Sequence, residues 1–347
     1  MPAEWVPHAA TWLAWPHEAS DWPGKITPIP WVYTEIVRHL HRHEVVHILV
    51  NDEKGESVAG RCLRKGGIDF SKIQFHRWPT DRVWTRDSGP TFLVNEQGQR
   101  GLLDWHFNAW AKYDNWKNDD QVPARVAHAT DLPIRQPMFN GKRIVLEGGS
   151  IEVNGSGLLL TTEECLLSEI QCRNPGMTRA DYENVFAEYL GIKKVLWLNR
   201  GIAGDDTHGH IDDLARFVAP KRIVLAVESN PAEENYQPLQ ENLERFRGMT
   251  DLDGSKLEVI PLPMPAPVVF DGQRLPASYA NFYIANGLVL VPTFNDVNDR
   301  KALGILAELF PERDVVGIHC GDLVYGLGTL HCMTQQEPAS TKASGAA

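Results

Sequence analysis

Five side chains in this sequence have the types needed to cut a C–N bond in a cation: one thiol, one imidazole and three carboxylates. Cys332 follows His331 in a Gly-rich stretch without hydrophobic period. His210 and Asp212 lie in the run His208-Gly209-His210-Ile211-Asp212-Asp213, Asp87 in Arg86-Asp87-Ser88-Gly89-Pro90, and Glu147 just before Gly148-Gly149. A planar guanidinium presents several N–H donors and is held best by carboxylates accepting paired hydrogen bonds, which suits Asp87 and Asp212. A thiol, with a free pKa of about 8.5, attacks poorly until ionised, and a bound guanidinium beside an imidazolium favours the thiolate. Cys332 is then the nucleophile. His210 protonates the departing nitrogen and afterwards deprotonates water, and Glu147 orients and charge-stabilises that imidazole. Taken singly, each residue also has an ordinary reading as a buried thiol, a strand cap or a turn carboxylate.

The elements around these residues give them a common setting. Hairpins are expected at Thr91 to Trp105 across Asn95-Glu96-Gln97-Gly98, Ile151 to Leu160 across Asn154-Gly155, Ala215 to Val227 across Pro220-Lys221, and Phe282 to Val291 across Asn286-Gly287. Their turns are spaced roughly 58 to 66 residues apart, room for two paired strands, a helix and one more strand. Helices followed by buried strands are expected at Pro30 to His43 before Val45 to Val50, and from Thr178 to Gly191 before Val195 to Leu198. Asp87, Glu147 and His210 with Asp212 each precede one of the first three hairpins. About five such modules fill the chain, and stacked radially they form a pseudo-symmetric α/β propeller in which matching positions converge on one pocket. The expected organisation is therefore one catalytic domain over residues 1–338, with a flexible tail at 339–347.

Composition narrows the function. A net charge of −11, from 34 basic and 45 acidic residues, with no basic run, argues against nucleic acid and accords with a small cationic substrate. Five cysteines, an odd number without CxxC spacing, read as reduced thiols. The first residues carry no basic segment with an apolar core, and no apolar run approaches the roughly 20 residues of a membrane span, so the expected location is the cytoplasm, away from membranes.

Six segments together carry a resemblance. They are Pro2-Ala3-Glu4-Trp5 with Thr11-Trp12-Leu13-Ala14-Trp15-Pro16, Trp84-Thr85-Arg86-Asp87-Ser88-Gly89-Pro90, Glu147-Gly148-Gly149-Ser150, Thr161-Thr162-Glu163-Glu164-Cys165-Leu166-Leu167, Gly209-His210-Ile211-Asp212, and His331-Cys332-Met333-Thr334-Gln335-Gln336. In order and spacing they resemble the agmatine deiminase and bacterial peptidylarginine deiminase family across nearly the whole chain. The resemblance implies a pentein fold, the five-module α/β propeller. It also implies no metal or organic cofactor, and hydrolysis of agmatine to N-carbamoylputrescine and ammonia through a covalent thiouronium. By matching position it makes Cys332 the nucleophile, His210 the acid/base, Asp87 and Asp212 the guanidinium carboxylates, and Glu147 the partner of the histidine. The sequence departs from the family pattern at two places. Gly326-Leu327-Gly328-Thr329-Leu330 stands where a triple glycine is usual, and His208 stands where asparagine is usual. Both bear on the choice of guanidine more than on the reaction.

Trp84 is expected to cover the aliphatic stem of the substrate, with Gly328 close by, and Asp81, Asp104, Asp213 and Asp296 are candidate partners for a distal amine. Peptidyl-arginine and free arginine are the alternative substrates. Two readings from other classes compete. His208, His210 and Asp212 approach the ligand run of a two-metal hydrolase. Ten of the eleven tryptophans precede residue 117, as in an aromatic carbohydrate-binding propeller.

Overall fold

The computed structural model describes residues 1–340, so residues 341–347 of the expected tail lie outside the described residues. It has a mixed α/β architecture in which one topology recurs in five sheets. In each, an antiparallel pair is extended by a strand parallel to its second member.

Four of these sheets come from continuous stretches of chain. Thr91–Val94 pairs antiparallel with Arg100–Leu103, which runs parallel to Ile134–Arg135. Glu152–Val153, Leu158–Thr162 and Lys194–Leu198 repeat the arrangement. So do Ala215–Ala219, Arg222–Val227 and Glu258–Pro263, and Tyr283–Ala285, Leu288–Thr293 and Asp314–His319. The four hairpins expected from turn residues are all present. The fifth sheet joins the two ends of the described chain: Gln335–Pro338 pairs antiparallel with His8–Ala14, which runs parallel to Val45–Val50, itself parallel to Ile73–Arg77. No short-range turn signal marks this pairing, because its partners are separated by most of the sequence.

A parallel neighbour requires a crossover, and a helix supplies each one. The six are Ile29–Leu40, Glu53–Lys65, Val122–Thr130, Arg179–Val185, Tyr236–Phe246 and Asp299–Leu309. Local chemistry sets their ends. Thr178 and Asp181 form a reciprocal capping box, and the chain leaves the following helical turn through Gly191 at φ +71°. Every residue of Leu158–Thr162 is buried, as befits a strand covered on both faces. The helix expected over Pro30 to His43 spans Ile29–Leu40 and buries Tyr33, Ile36, Val37 and Leu40 on one stripe.

Candidate active site

Just ahead of the first strand of each sheet, the chain makes a short turn or loop, and these segments carry the reactive groups. Asp87 lies in the helical turn Thr85–Ser88, Glu147 precedes the 3-10 turn Gly148–Ser150, and Asp212 lies in the 3-10 turn Ile211–Asp213 with His210 as its N-cap. Cys332 stands three residues before Gln335–Pro338. Asp87, Glu147, His210, Asp212 and Cys332 are all buried, and the tertiary structure brings them together.

His210 is flanked by two carboxylates, its Nδ1 3.8 Å from Asp87 Oδ2 and its Nε2 3.8 Å from Glu147 Oε2. Neither ring nitrogen has a hydrogen-bond partner among the described residues. Burial opposes the charge on His210, but Asp87 beside it, helped by Glu147, holds its pKa well above the usual imidazole value. The ring is therefore a cation in the free protein. Glu147 is itself anchored, accepting from Arg173 Nε at 3.0 Å. Burial works against its ionisation, and Arg173 and His210 overcome it, lowering its pKa to about 2. Asp87 accepts from Trp110 Nε1 and from the Gly149 amide, each at 2.9 Å, yet burial above all, with the charges of Asp212 and Glu147, raises it to about 6.

Gly149 is required by close approach. A Cβ there would lie 2.6 Å from His210 Nδ1 and 2.8 Å from Asp87 Oδ1. Trp110 reaches Asp87 from backbone in the left-handed region, with φ +50°, +59° and +54° at Ala109, Trp110 and Ala111. Such residues cost about 1–2 kcal/mol each, and this strain sits where the indole N–H meets the carboxylate.

Asp212 accepts from His331 Nδ1 at 2.7 Å, and the far side of that ring meets Glu4 Oε2, also at 2.7 Å. Burial opposes ionisation of Asp212, and the bond and charge of His331 prevail, holding it below the usual carboxylate range. Its second oxygen, Oδ1, is buried without a partner. The Cys332 sulfur lies 3.7 Å from Asp212 Oδ2. Burial, then the charges of Asp212, Asp213 and Asp87, push its thiol well above the ordinary value. In the free protein burial and the neighbouring carboxylates thus disfavour the Cys332 thiolate, and an arriving cation would favour it.

Cys332 and Asp87 open onto a cavity of about 310 Å³ whose walls include Trp84, Trp110, Leu327 and Gly328. Trp84 and Gly328 both line this cavity. A Cβ at Gly328 would stand 2.8 Å from the Trp84 ring and 3.1 Å from Cys332 Cβ, so glycine there lets the indole lie against the Cys332 loop. The four aspartates considered for a distal amine are not in its wall. Asp81 accepts from Asn118, Asp104 from Arg143 and Gln136, and Asp213 from Asn281, while Asp296 lies in a separate cleft. Besides Asp87, the carboxylates in the wall are Asp21 and Asp206.

The run read as a metal site does not converge. His208, at φ +65°, turns its Nε2 to Ser168 Oγ at 3.1 Å, and the described residues whose ligand atoms do cluster are Glu147, Cys165 and His210. Sequence reasoning also missed several supporting groups. Asn281, two residues before Tyr283–Ala285, occupies in the remaining sheet the place that Asp87, Glu147, Asp212 and Cys332 hold in the others, and its Nδ2 lies 3.0 Å from the Cys332 sulfur. Repeat equivalence was the signal that could have found it. Arg173, His331 and Glu4 had no such signal, because their partners are distant in sequence.

The model of the Porphyromonas-type peptidyl-arginine deiminase family matches residues 1–338. The chain belongs to that family. Its relatives include an agmatine deiminase of Ectopseudomonas mendocina, 34% identical, with 98% of this chain and 95% of that protein covered. An agmatine deiminase of Pseudomonas syringae pv. tomato is 35% identical, with 99% and 96% covered. Among solved structures, the agmatine deiminase of Enterococcus faecalis is 32% identical and superposes with a TM-score of 0.90, covering 98% of this chain and 96% of that one. A cysteine-to-serine variant of C. jejuni agmatine deiminase with substrate bound, 29% identical, gives 0.86 with the same coverage. These family members share the mixed α/β fold described above.

Proposed function

We propose that the chain is a cysteine-dependent hydrolase of guanidino groups whose substrate is agmatine, converted with water to N-carbamoylputrescine and ammonia. The observation that carries this reading is the convergence of Cys332, His210, Asp87 and Asp212, with Cys332 and Asp87 opening onto one cavity. The names of the relatives, which match this chain nearly end to end, support agmatine as the guanidine. In this reading the five sheets are modules of a radial propeller, residues 1–338 form a single catalytic domain, and the active site lies where the modules meet. The recurring topology and the pairing of the two ends support it.

The chemistry follows from the geometry. Asp87 and Asp212 accept N–H bonds from the guanidinium, the Asp212 Oδ1 that lacks a partner being free to do so. The added positive charge offsets the carboxylates that hold the thiol neutral, and Cys332 loses its proton to solvent and attacks the guanidinium carbon. His210 gives its proton to one nitrogen, which leaves as ammonia, and a cationic thiouronium remains on sulfur. The now neutral imidazole takes a proton from water as the hydroxide attacks. Collapse expels the sulfur, which recovers the hydroxyl proton, and the ureido product departs. Glu147 keeps His210 charged and oriented throughout. No step calls for a metal or organic cofactor.

Five unpaired cysteines suit the reducing cytoplasm, where we place the protein, with a small cationic guanidine as its partner and neither nucleic acid nor membrane. Among the described residues no helix is long and apolar enough to cross a membrane. The test is release of ammonia and ureido product from agmatine by wild type and Cys332→Ser. A fall of about 10³-fold or more in kcat is expected, and turnover retained in the variant removes Cys332 as nucleophile.

A further inference from the structure

The cavity wall carries a fixed cation that binding agmatine does not call for. Arg82 lines the same cavity as Cys332. Its guanidinium is held from three sides. Nη1 pairs with Asp21, Nε and Nη2 donate to Asn115 Oδ1 at 3.3 and 3.2 Å, and its central carbon lies 4.1 Å from the Tyr113 ring centroid. A guanidinium has five N–H bonds, so these contacts use three and leave one on each terminal nitrogen. A planar fork already immobilised in this way loses little further freedom when it accepts a carboxylate, whose geometry it matches. Were Arg82 only the counter-ion of Asp21, it would need neither spare donors nor a place in the cavity wall.

The surroundings contain both signs of charge. Lys112 pairs with Asp206, which also lines the cavity, and Asp21 retains one buried oxygen, Oδ2, without a partner. Agmatine ends in an ammonium alone, and a fixed guanidinium nearby repels it. The α-amino acid end of arginine offers a carboxylate to Arg82 and an ammonium to Asp21. We infer that this site also takes guanidines bearing a distal carboxylate, free arginine among them, with Arg82 receiving the carboxylate and Asp21 the ammonium. The inference rests on the guanidine-hydrolase reading above and assigns the opposite end of that pocket.

Three substrates separate the two. Agmatine is arginine without its carboxylate, and 5-guanidinopentanoate is arginine without its α-ammonium. With the full-length protein, turnover of 5-guanidinopentanoate and of arginine is expected beside that of agmatine. In Arg82→Gln, the ratio of 5-guanidinopentanoate to agmatine falls roughly tenfold or more. Because Arg82→Gln leaves Asp21 buried without its partner, the double variant Asp21→Asn/Arg82→Gln, which removes both charges, is read beside it; there the same fall in ratio is expected. Turnover of agmatine with neither carboxylate substrate accepted overturns the inference, as does a ratio unchanged in both variants. Failure to turn over all three removes the guanidine reading itself, and the inference with it, and is recognised by the loss of agmatine turnover.

Discussion

The side-chain amide of Asn281 lies 3.0 Å from the Cys332 sulfur, and its carbonyl oxygen accepts from Thr329 Oγ1 at 2.7 Å and from the His331 amide at 3.0 Å. One buried residue thus fixes both the reactive atom and the loop that presents it. Asn281→Ala strips the loop of these bonds and is expected to cost about 2–4 kcal/mol of stability, read by urea unfolding, since buried donors and acceptors are left unmade. It should also lower kcat by roughly 10–100-fold through misplacement of the thiol. A variant of full stability and full activity would show that the loop holds itself.

Gly149→Ala tests the packing around His210. Its Cβ would meet His210 Nδ1 at 2.6 Å and Asp87 Oδ1 at 2.8 Å, both side chains of the proposed machinery. We expect a fall in kcat of about 10²-fold, the scale set by displacing a general acid. Circular dichroism and the unfolding midpoint should move little by comparison. An active variant would mean that the imidazole has room to shift.

Two groups set opposite limbs of the pH profile. Asp87, raised by burial to about 6, is protonated below that pH and then no longer offers a full carboxylate to the guanidinium, so kcat/KM should fall as pH drops through about 6. His210, held above the ordinary imidazole range, loses its proton on the alkaline side and with it the acid that expels ammonia. A kcat/KM profile that stays level from pH 5 to pH 8 would count against Asp87 as a guanidinium ligand.

Alkylation of Cys332 in the free protein should be slow at neutral pH and should accelerate as pH rises beyond 9, because burial and the carboxylates disfavour the thiolate. Iodoacetamide labelling followed by peptide mass analysis reads this directly. Rapid labelling of Cys332 at pH 7 without substrate would contradict an ionisation that depends on the arriving guanidinium.

Arg173 and Glu147 form an ion pair with no solvent exposure on either side chain. Arg173→Met leaves that carboxylate buried without its hydrogen-bonded partner and with only His210 beside it, and about 3–5 kcal/mol of stability should be lost. In the wild type, Glu147 has its pKa depressed from 4.5 to about 2, so its contribution is fully present above about pH 4.5 and disappears as pH falls towards 2. Urea midpoints between pH 5 and pH 2 should show this acid loss in wild type and less of it in the variant.

The sequence by itself determined the local parts of this protein. Turn residues and alternating strands marked four hairpins, the Thr178 and Asp181 pair marked a helix start, and the repetition of reactive residues ahead of hairpins pointed to Asp87, Glu147, His210 and Asp212, with Cys332 following in its Gly-rich stretch near the C-terminus. These signals survive without a structure because they arise from interactions among residues close together in the chain. Only the tertiary structure decided what depends on distant partners. The fifth sheet pairs Thr11 with Gln336, and the support beneath the thiol runs from Glu4 through His331 to Asp212. The distal end of the pocket is of the same kind. Asp21 and Arg82, 61 positions apart, form a partly buried ion pair there, whereas the four aspartates chosen from sequence lie outside the cavity. Loop closure over such separations leaves no local pattern to read, since which acid meets which base is settled when the sheets pack.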